Sequence, residues 1–541
     1  MIAATQTVDY VVIGAGSSGA ALARRLADRP GTRVLLLEAG EPRHRDFWVE
    51  VPLGVGKLLM DPRYVWPFHT EKQAHLGGQQ VYWPRGRLPG GSSSVNGNLW
   101  VRGDPAEYDR WRALGNRGWG WDDLLPYFKR IESTNFGDAA QRGRSGPIRL
   151  TALADRPGEL PDAFLAACNA AGIPSTPDYN GGSYEGVGYL QVSIQQGRRC
   201  STAKGYLGPD APPGLEMQTQ AVASRIVFEG RRAVGVEYHR NGQICHVRVR
   251  AEVILSAGPI QSPQLLELSG VGQPALLQRL GLPVVHALPG VGENLIDHFQ
   301  SRLTYECTKA ITLNEILASP LRQALMGAHY LLTRRGFMAA PLATVHALAR
   351  TDPNDLQPDA KIQITHKTGA DRYANNPAAG MDLYPGFGIG FFQLRPESRG
   401  SVHSRSTDVS EAPIIDPNYL AAEGDCRALL RAARLARRIA SSGPLQALIV
   451  RETRPGPETD SDEALLDYLK RSGQTSWHPI GTCRMGRDAM AVVDDRLRVH
   501  GLDGLRVVDS SVMPTMPTSN TNAPSIAIGE KAADMILSDQ G

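Results

Sequence analysis

Residues 11–40 read VVIGAGSSGAALARRLADRPGTRVLLLEAG. A short apolar run of strand type, Tyr10 to Ile13, meets the glycine turn Gly14-x-Gly16-x-x-Gly19. An Ala, Leu and Arg pattern of helical period follows through Leu26, and a second apolar run, Val34 to Leu37, ends in Glu38. Gly14 permits the tight strand-to-helix turn, Gly16 lets a pyrophosphate approach the backbone, and Gly19 lets helix and strand pack closely. Ser17 and Ser18 open the helix, whose unpaired N–H groups and positive dipole end suit a diphosphate. Glu38 lies 19 residues beyond Gly19 and is followed by Ala39. A carboxylate at this point accepts ribose hydroxyls and disfavours the 2′-phosphate of NADP. Strand, glycines, helix, strand and acid in this order specify a dinucleotide site. The motif alone leaves FAD and NAD open, and its place near the N-terminus leans towards a resident FAD.

At 541 residues the chain exceeds one simple domain. Hydrophobic content of 42% with 21% charged residues fits a globular protein. A net charge of +3, from 58 Lys and Arg against 55 Asp and Glu, gives no argument for nucleic acid or an anionic surface as partner. The six cysteines, at 168, 200, 245, 307, 426 and 483, are irregularly spaced without a CxxC pair. That spacing predicts neither a disulfide framework nor a metal site. No basic-then-apolar leader and no run of 18 apolar residues stands in the chain, so the expected setting is cytoplasmic, without a transmembrane segment.

A second glycine cluster follows within PRGRLPGGSSSVNGNLWVRGDPAEYDRW (84–111). Gly90, Gly91 and Ser92, with Arg87 before them and Asn96 and Gly97 after, offer free N–H groups and side-chain donors for wrapping a flat or phosphorylated ligand. Val222 to Phe228 and Ala233 to Tyr238 read as a hairpin around Glu229-Gly230. HVRVRAEVILSAG (from 246) reads as strand leading into a glycine, and Ala421 to Ile439 as an amphipathic helix with a solvated arginine face.

Here the sequence resembles the glucose-methanol-choline (GMC) flavoprotein oxidoreductases, and the likeness runs end to end. It is carried by residues 84–103, GPIQSPQLLELSGVG (258–272), PGVGENLIDH (289–298), LRPESRGSVHSRSTD (394–408) with IIDPNYL (414–420), SWHPIGTCRMG (476–486) and VVDSSVMPTMPTSNTNAPSIAIGEKAADMI (507–536). The resemblance implies an α/β fold: a Rossmann-like FAD domain of glutathione-reductase type, with an inserted α+β substrate domain on an antiparallel sheet. We expect residues 1–155, 200–300 and 476–541 in the FAD domain and 156–199 and 301–475 in the substrate domain.

The same resemblance implies oxidation of an alcohol, with oxygen or a quinone-like acceptor taking the electrons. Such chemistry needs a base for the hydroxyl proton and a polar partner to orient the hydroxyl. His478, in the family's WHP-like motif, is the expected base, with Trp477 beside the cofactor. The partner is placed on Asn522, with Asn520 two residues away as the alternative. Either asparagine also suits a helix cap, since Pro524 reads as the first turn of a helix. Further cofactor contacts are expected at Val222, at Ala257 and Gly258, and at Asp509, Ser510, Asn520 and Pro524. Some members attach FAD through a histidine at the position of Val95, so FAD is expected to be non-covalent here. Members that oxidise choline face its ammonium group with a carboxylate. The comparable stretch, taken as Pro341 to Arg350, has no acid, which points to a neutral primary alcohol. Choline oxidation, or a non-oxidative FAD lyase or decarboxylase, are the alternatives.

Overall fold

The computed structural model describes residues 6–155, 158–370, 372–373 and 376–539. The apolar runs around the glycine turn form the centre of a seven-stranded sheet. Its order is Leu215–Gln218, Val34–Leu37, Gln6–Ile13, Gln243–Leu255, Arg232–Arg240 and Ala221–Glu229, with Leu505–Val507 joined to the far half of Gln243–Leu255. Gln6–Ile13 pairs in parallel with both Val34–Leu37 and Gln243–Leu255, whereas the expected hairpin, Ala221–Glu229 with Arg232–Arg240, is antiparallel. Val34–Leu37 is buried at every residue, as a parallel strand covered on both faces must be.

The helix Ser17–Ala27 covers this sheet and packs against the C-terminal helix Asn522–Ser538. Buried Glu530 locks that contact: it accepts from Arg25 Nε at 2.9 Å and from Tyr206 Oη at 2.7 Å.

A second seven-stranded sheet is antiparallel throughout. Its order is Ile449–Arg454, Phe299–Cys307, Gly386–Gln393, Ala360–Thr365, Ala343–Ala349 and Gly186–Tyr189, with Gln474–Thr475 beside Phe299–Cys307. The strand Phe299–Cys307 runs across the expected domain limit at residue 300. Helix Glu423–Ala440 packs one face, through Leu429, Ala432, Ala433, Leu435, Ala436 and Ile439, against this sheet. Its arginines do more than face solvent: Arg431 pairs with Asp359, Arg434 with Asp460 and Asp462, and Arg437 with Glu452.

Candidate active site

The two glycine clusters meet. Gly14 adopts φ +103°, and a Cβ there would lie 2.4 Å from the Ser256 carbonyl oxygen. A Cβ on Gly91 would lie 2.8 Å from Gly16 Cα, and the Gly90 N–H donates to the Ala15 carbonyl at 2.7 Å. Only residues without side chains let these segments close on one another. Between them opens a cleft lined by Gly14, Gly16, Ser17 and Ser18, by Glu38 and Ala39, by Gly91 and Ser92, and by Val222, Ala257, Gly258, Asp509 and Ser510. Ala221, Ala223, Ser256 and Pro259, not singled out in the sequence, join them.

Glu38 is buried at the end of its strand. Its carboxylate accepts from the Ala15 N–H at 3.1 Å and the Gly40 N–H at 2.8 Å, while burial pushes its pKa up against the pull of Arg87. Asp509 is held in the same way, accepting from Gly258 N–H at 2.9 Å and Ser262 Oγ at 2.6 Å.

Other expected contacts lie elsewhere. Gly19 packs helix on turn rather than lining the cleft, its Cβ position 2.0 Å from the Gly14 carbonyl. Arg87 stacks 4.2 Å from the Trp66 ring beside Glu38, and the cleft arginine is instead Arg85, which also donates to the Trp477 carbonyl at 3.0 Å. Gly90 and Pro524 lie behind the lining; Asn96, Gly97, Trp477 and Asn520 face a second cavity.

That cavity adjoins the cleft through Ser17, Arg85, Ser92, Ser510 and Ser525 and runs out beneath the antiparallel sheet. His478 stands at the junction. Trp477 takes a left-handed conformation, φ +61°, that turns His478 inward. The His478 N–H is fixed by Asp297 Oδ1 at 2.8 Å; Asp297 in turn accepts from Thr475 Oγ1 at 2.6 Å and from Tyr419 Oη. Burial pushes the Asp297 pKa up to about 6.

Around the His478 ring runs a single row of hydrogen bonds. His298 Nε2 faces the Leu394 carbonyl at 3.1 Å, and a carbonyl only accepts, so that nitrogen carries the hydrogen. Burial lowers the His298 pKa to about 3, so its Nδ1 is bare and accepts from His478 Nδ1 at 2.9 Å. The lone pair of His478 is therefore on Nε2, the nitrogen that faces Asn520 Nδ2 at 2.9 Å. The Asn520 amide is oriented from its other end: Oδ1 accepts from Lys361 Nζ at 2.6 Å. Burial first, with the positive fields of Lys361 and Arg85 adding to it, holds the His478 pKa well below the usual histidine range. A neutral imidazole with its Nε2 lone pair on the cavity side is a competent proton acceptor.

The amide beside His478 is thus Asn520, not the expected Asn522. Asn522 also lines the cavity, but its Oδ1 accepts from Ser17 Oγ at 2.8 Å and ties the start of the last helix to the first. Reading the asparagines two residues out of step exchanged a helix-end contact for a site contact. Sequence reasoning gave no role to Asp297, His298 or Lys361. The first two stand in the quoted PGVGENLIDH segment, whereas Lys361 had no motif around it. Of the stretch taken for the substrate contact, only Pro341, Leu342 and Ala343 line the cavity; Thr344 pairs with His366, and Arg350 with Glu185.

A dinucleotide cleft that abuts a neutral histidine in a cavity under a second sheet is the arrangement of a dinucleotide-dependent oxidoreductase. The chain belongs to the GMC oxidoreductase family, matching its N-terminal part over residues 8–300 and its C-terminal part over 396–529. The chain is 40% identical to oxygen-dependent choline dehydrogenase 1 of Chromohalobacter salexigens over 98% of its length and 94% of the relative's. It is also 40% identical to human mitochondrial choline dehydrogenase, over 97% of this chain and 89% of the other. Among solved structures, pyridoxine 4-oxidase from Mesorbium loti superposes with a TM-score of 0.88 at 31% identity, covering 97% of this chain and 98% of that one. GMC oxidoreductases are FAD flavoproteins, and the residues of the cleft fit FAD: bare glycine backbone, a carboxylate at the ribose position, and the guanidinium of Arg85. No helix among the described residues is long and apolar enough to cross a membrane.

Proposed function

We propose that this enzyme oxidises a neutral primary alcohol to the aldehyde, with His478 as base and Asn520 as the group that orients the hydroxyl. The observation that carries the reading is the row His298–His478–Asn520–Lys361, in which the one lone pair of His478, on Nε2, accepts from the Asn520 amide at the cavity wall. Bound FAD supplies the hydride acceptor. A substrate hydroxyl takes the place of the Asn520 amide at Nε2, accepts from that amide on its oxygen and gives its proton to Nε2, and the burial of His478 excludes water. Val95, where a covalent link to the cofactor would need a nucleophile, faces the cavity with only methyl groups, which supports non-covalent FAD. Six free cysteines support a reducing, cytoplasmic setting. Oxygen or a quinone-like compound takes the electrons.

The relatives named for choline make choline the substrate to test against. Among the described lining residues there is no Asp or Glu, whereas Lys57, Arg85, Arg302, Lys367 and Arg372 all contribute. Desolvating a quaternary ammonium against these described residues, with no carboxylate among them, is costly. Anaerobic stopped-flow reduction at matched concentrations is expected to be faster with benzyl alcohol or a medium-chain alkanol than with choline; choline fastest by a wide margin overturns the substrate reading. A lyase or decarboxylase would leave the flavin oxidised in the same experiment.

A further inference from the structure

Helix Pro320–Thr333 has two apolar faces, and only one of them belongs to the cavity. Met326, Gly327 and Leu331 line the cavity wall, and buried Tyr330 donates to the Gly197 carbonyl at 3.0 Å. On the opposite side Leu321, Leu325, Ala328 and Leu332, spaced by four, three and four residues, form one stripe pointing to solvent. The three leucines are 70%, 61% and 86% exposed. A helix in a globular protein normally turns such a stripe to the core. Phe47 packs edge-on to Tyr330 at 6.3 Å and belongs to the cavity side, leaving the leucine stripe uncovered.

The charged residues of the helix itself and of its C-terminal end have one sign. Arg322 flanks it, Arg334 and Arg335 follow the C-terminal end, and the sequence has no Asp or Glu from 316 to 351. No carboxylate among the described residues pairs with these three arginines; Arg334 lies over the Tyr330 ring at 4.9 Å. The net charge of +3 for the whole chain conceals this local concentration.

We propose that this helix docks the enzyme on the surface of an anionic phospholipid bilayer, its leucine stripe inserted among the acyl chains and its arginines on the headgroup phosphates. Exposed leucines on one helix face with arginines beside them are the pattern of an interfacial helix, and guanidinium is the side chain matched to phosphate. A second copy of the chain is disfavoured as occupant, because a twofold interface on this patch would set the three arginines against their own mates. The docked helix would keep its other face on the cavity, so the entrance would lie at the membrane interface.

The test is co-sedimentation of the FAD-loaded enzyme with vesicles of phosphatidylglycerol and phosphatidylcholine, and with vesicles of phosphatidylcholine alone. The enzyme is expected to pellet with the anionic vesicles, and less so as salt rises and screens the arginines. The double variant L325D/L332D is expected to bind them about tenfold less tightly, two charges being excluded from the acyl layer. Its flavin spectrum and its reduction by benzyl alcohol should be unchanged, because neither leucine lines the cavity; this also shows that the variant folds. Equal sedimentation of variant and parent overturns the proposal. So does failure of the parent to bind anionic vesicles, and a light-scattering dimer that the variant dissolves would then identify a second copy as the occupant.

Discussion

The ammonium of Lys361 lies one amide away from His478 and has no carboxylate partner among the described residues; His298, His346 and His478 all feel its field. Burial alone lowers its pKa to about 7. Below that value the charge opposes a second proton on His478; above it the imidazole is a stronger base. Arg85 adds a positive field, while Asp297 binds the His478 backbone rather than the ring. Flavin reduction by alcohol is therefore expected to quicken as pH rises through about 7. Lys361→Met should remove that limb, and Lys361→Arg, charged throughout, should hold the rate low at high pH; stopped-flow pH profiles of the three proteins decide it. His478→Ala should keep FAD and slow reduction by at least about a hundredfold, the lower range for a general base. Asn520→Ala should slow reduction more than Asn522→Ala, which loosens a helix end. The reverse order would restore Asn522 to the site.

At the scale of elements, the approach of the last helix to the first is set by Gly529. A Cβ there would lie 2.4 Å from the Ser18 carbonyl oxygen. Gly529→Ala should cost about 1–3 kcal/mol, as overpacking does, and should weaken FAD retention because Ser17 and Ser18 line the cleft; denaturant melts and flavin release measure the two effects. The nucleotide half was legible in the sequence because its signals are local. Glycines, acid and apolar runs within 11–40 specify a strand–turn–helix–strand unit, and the hairpin at 221–240 declares itself by alternation. The substrate half was less so. Lys361 belongs to a strand that reaches Asn520 only through the pairing of Phe299–Cys307, Gly386–Gln393 and Ala360–Thr365, contacts that no local period records. The asparagine register failed for a related reason. Asn520 and Asn522 have the same chemistry, and only the hydrogen bonds to His478 and Ser17 separate them.

The whole molecule is built around a seam. The turn at Gly14–Gly16, the loop at Gly90–Ser92 and the segment Asp509–Ser510 come from three distant parts of the chain and face one cleft. A cofactor bound there joins them, so FAD removal should lower the melting temperature, and re-addition should restore it in a concentration-dependent way. Acid precipitation should release the flavin to the supernatant; flavin left in the pellet would reveal a covalent link.

The Ser17–Asn522 hydrogen bond, spanning 505 residues, also governs when the molecule can come to life on the ribosome. The first helix is made 505 residues before the segment that covers it and completes the cleft. Until then the apolar face of Ser17–Ala27 waits uncovered, and no partial chain can hold the cofactor as the finished enzyme does. A chain stopped short of residue 522 is therefore expected to be a client for chaperones rather than a weaker catalyst, and the yellow colour should develop only once the segment from 522 has emerged.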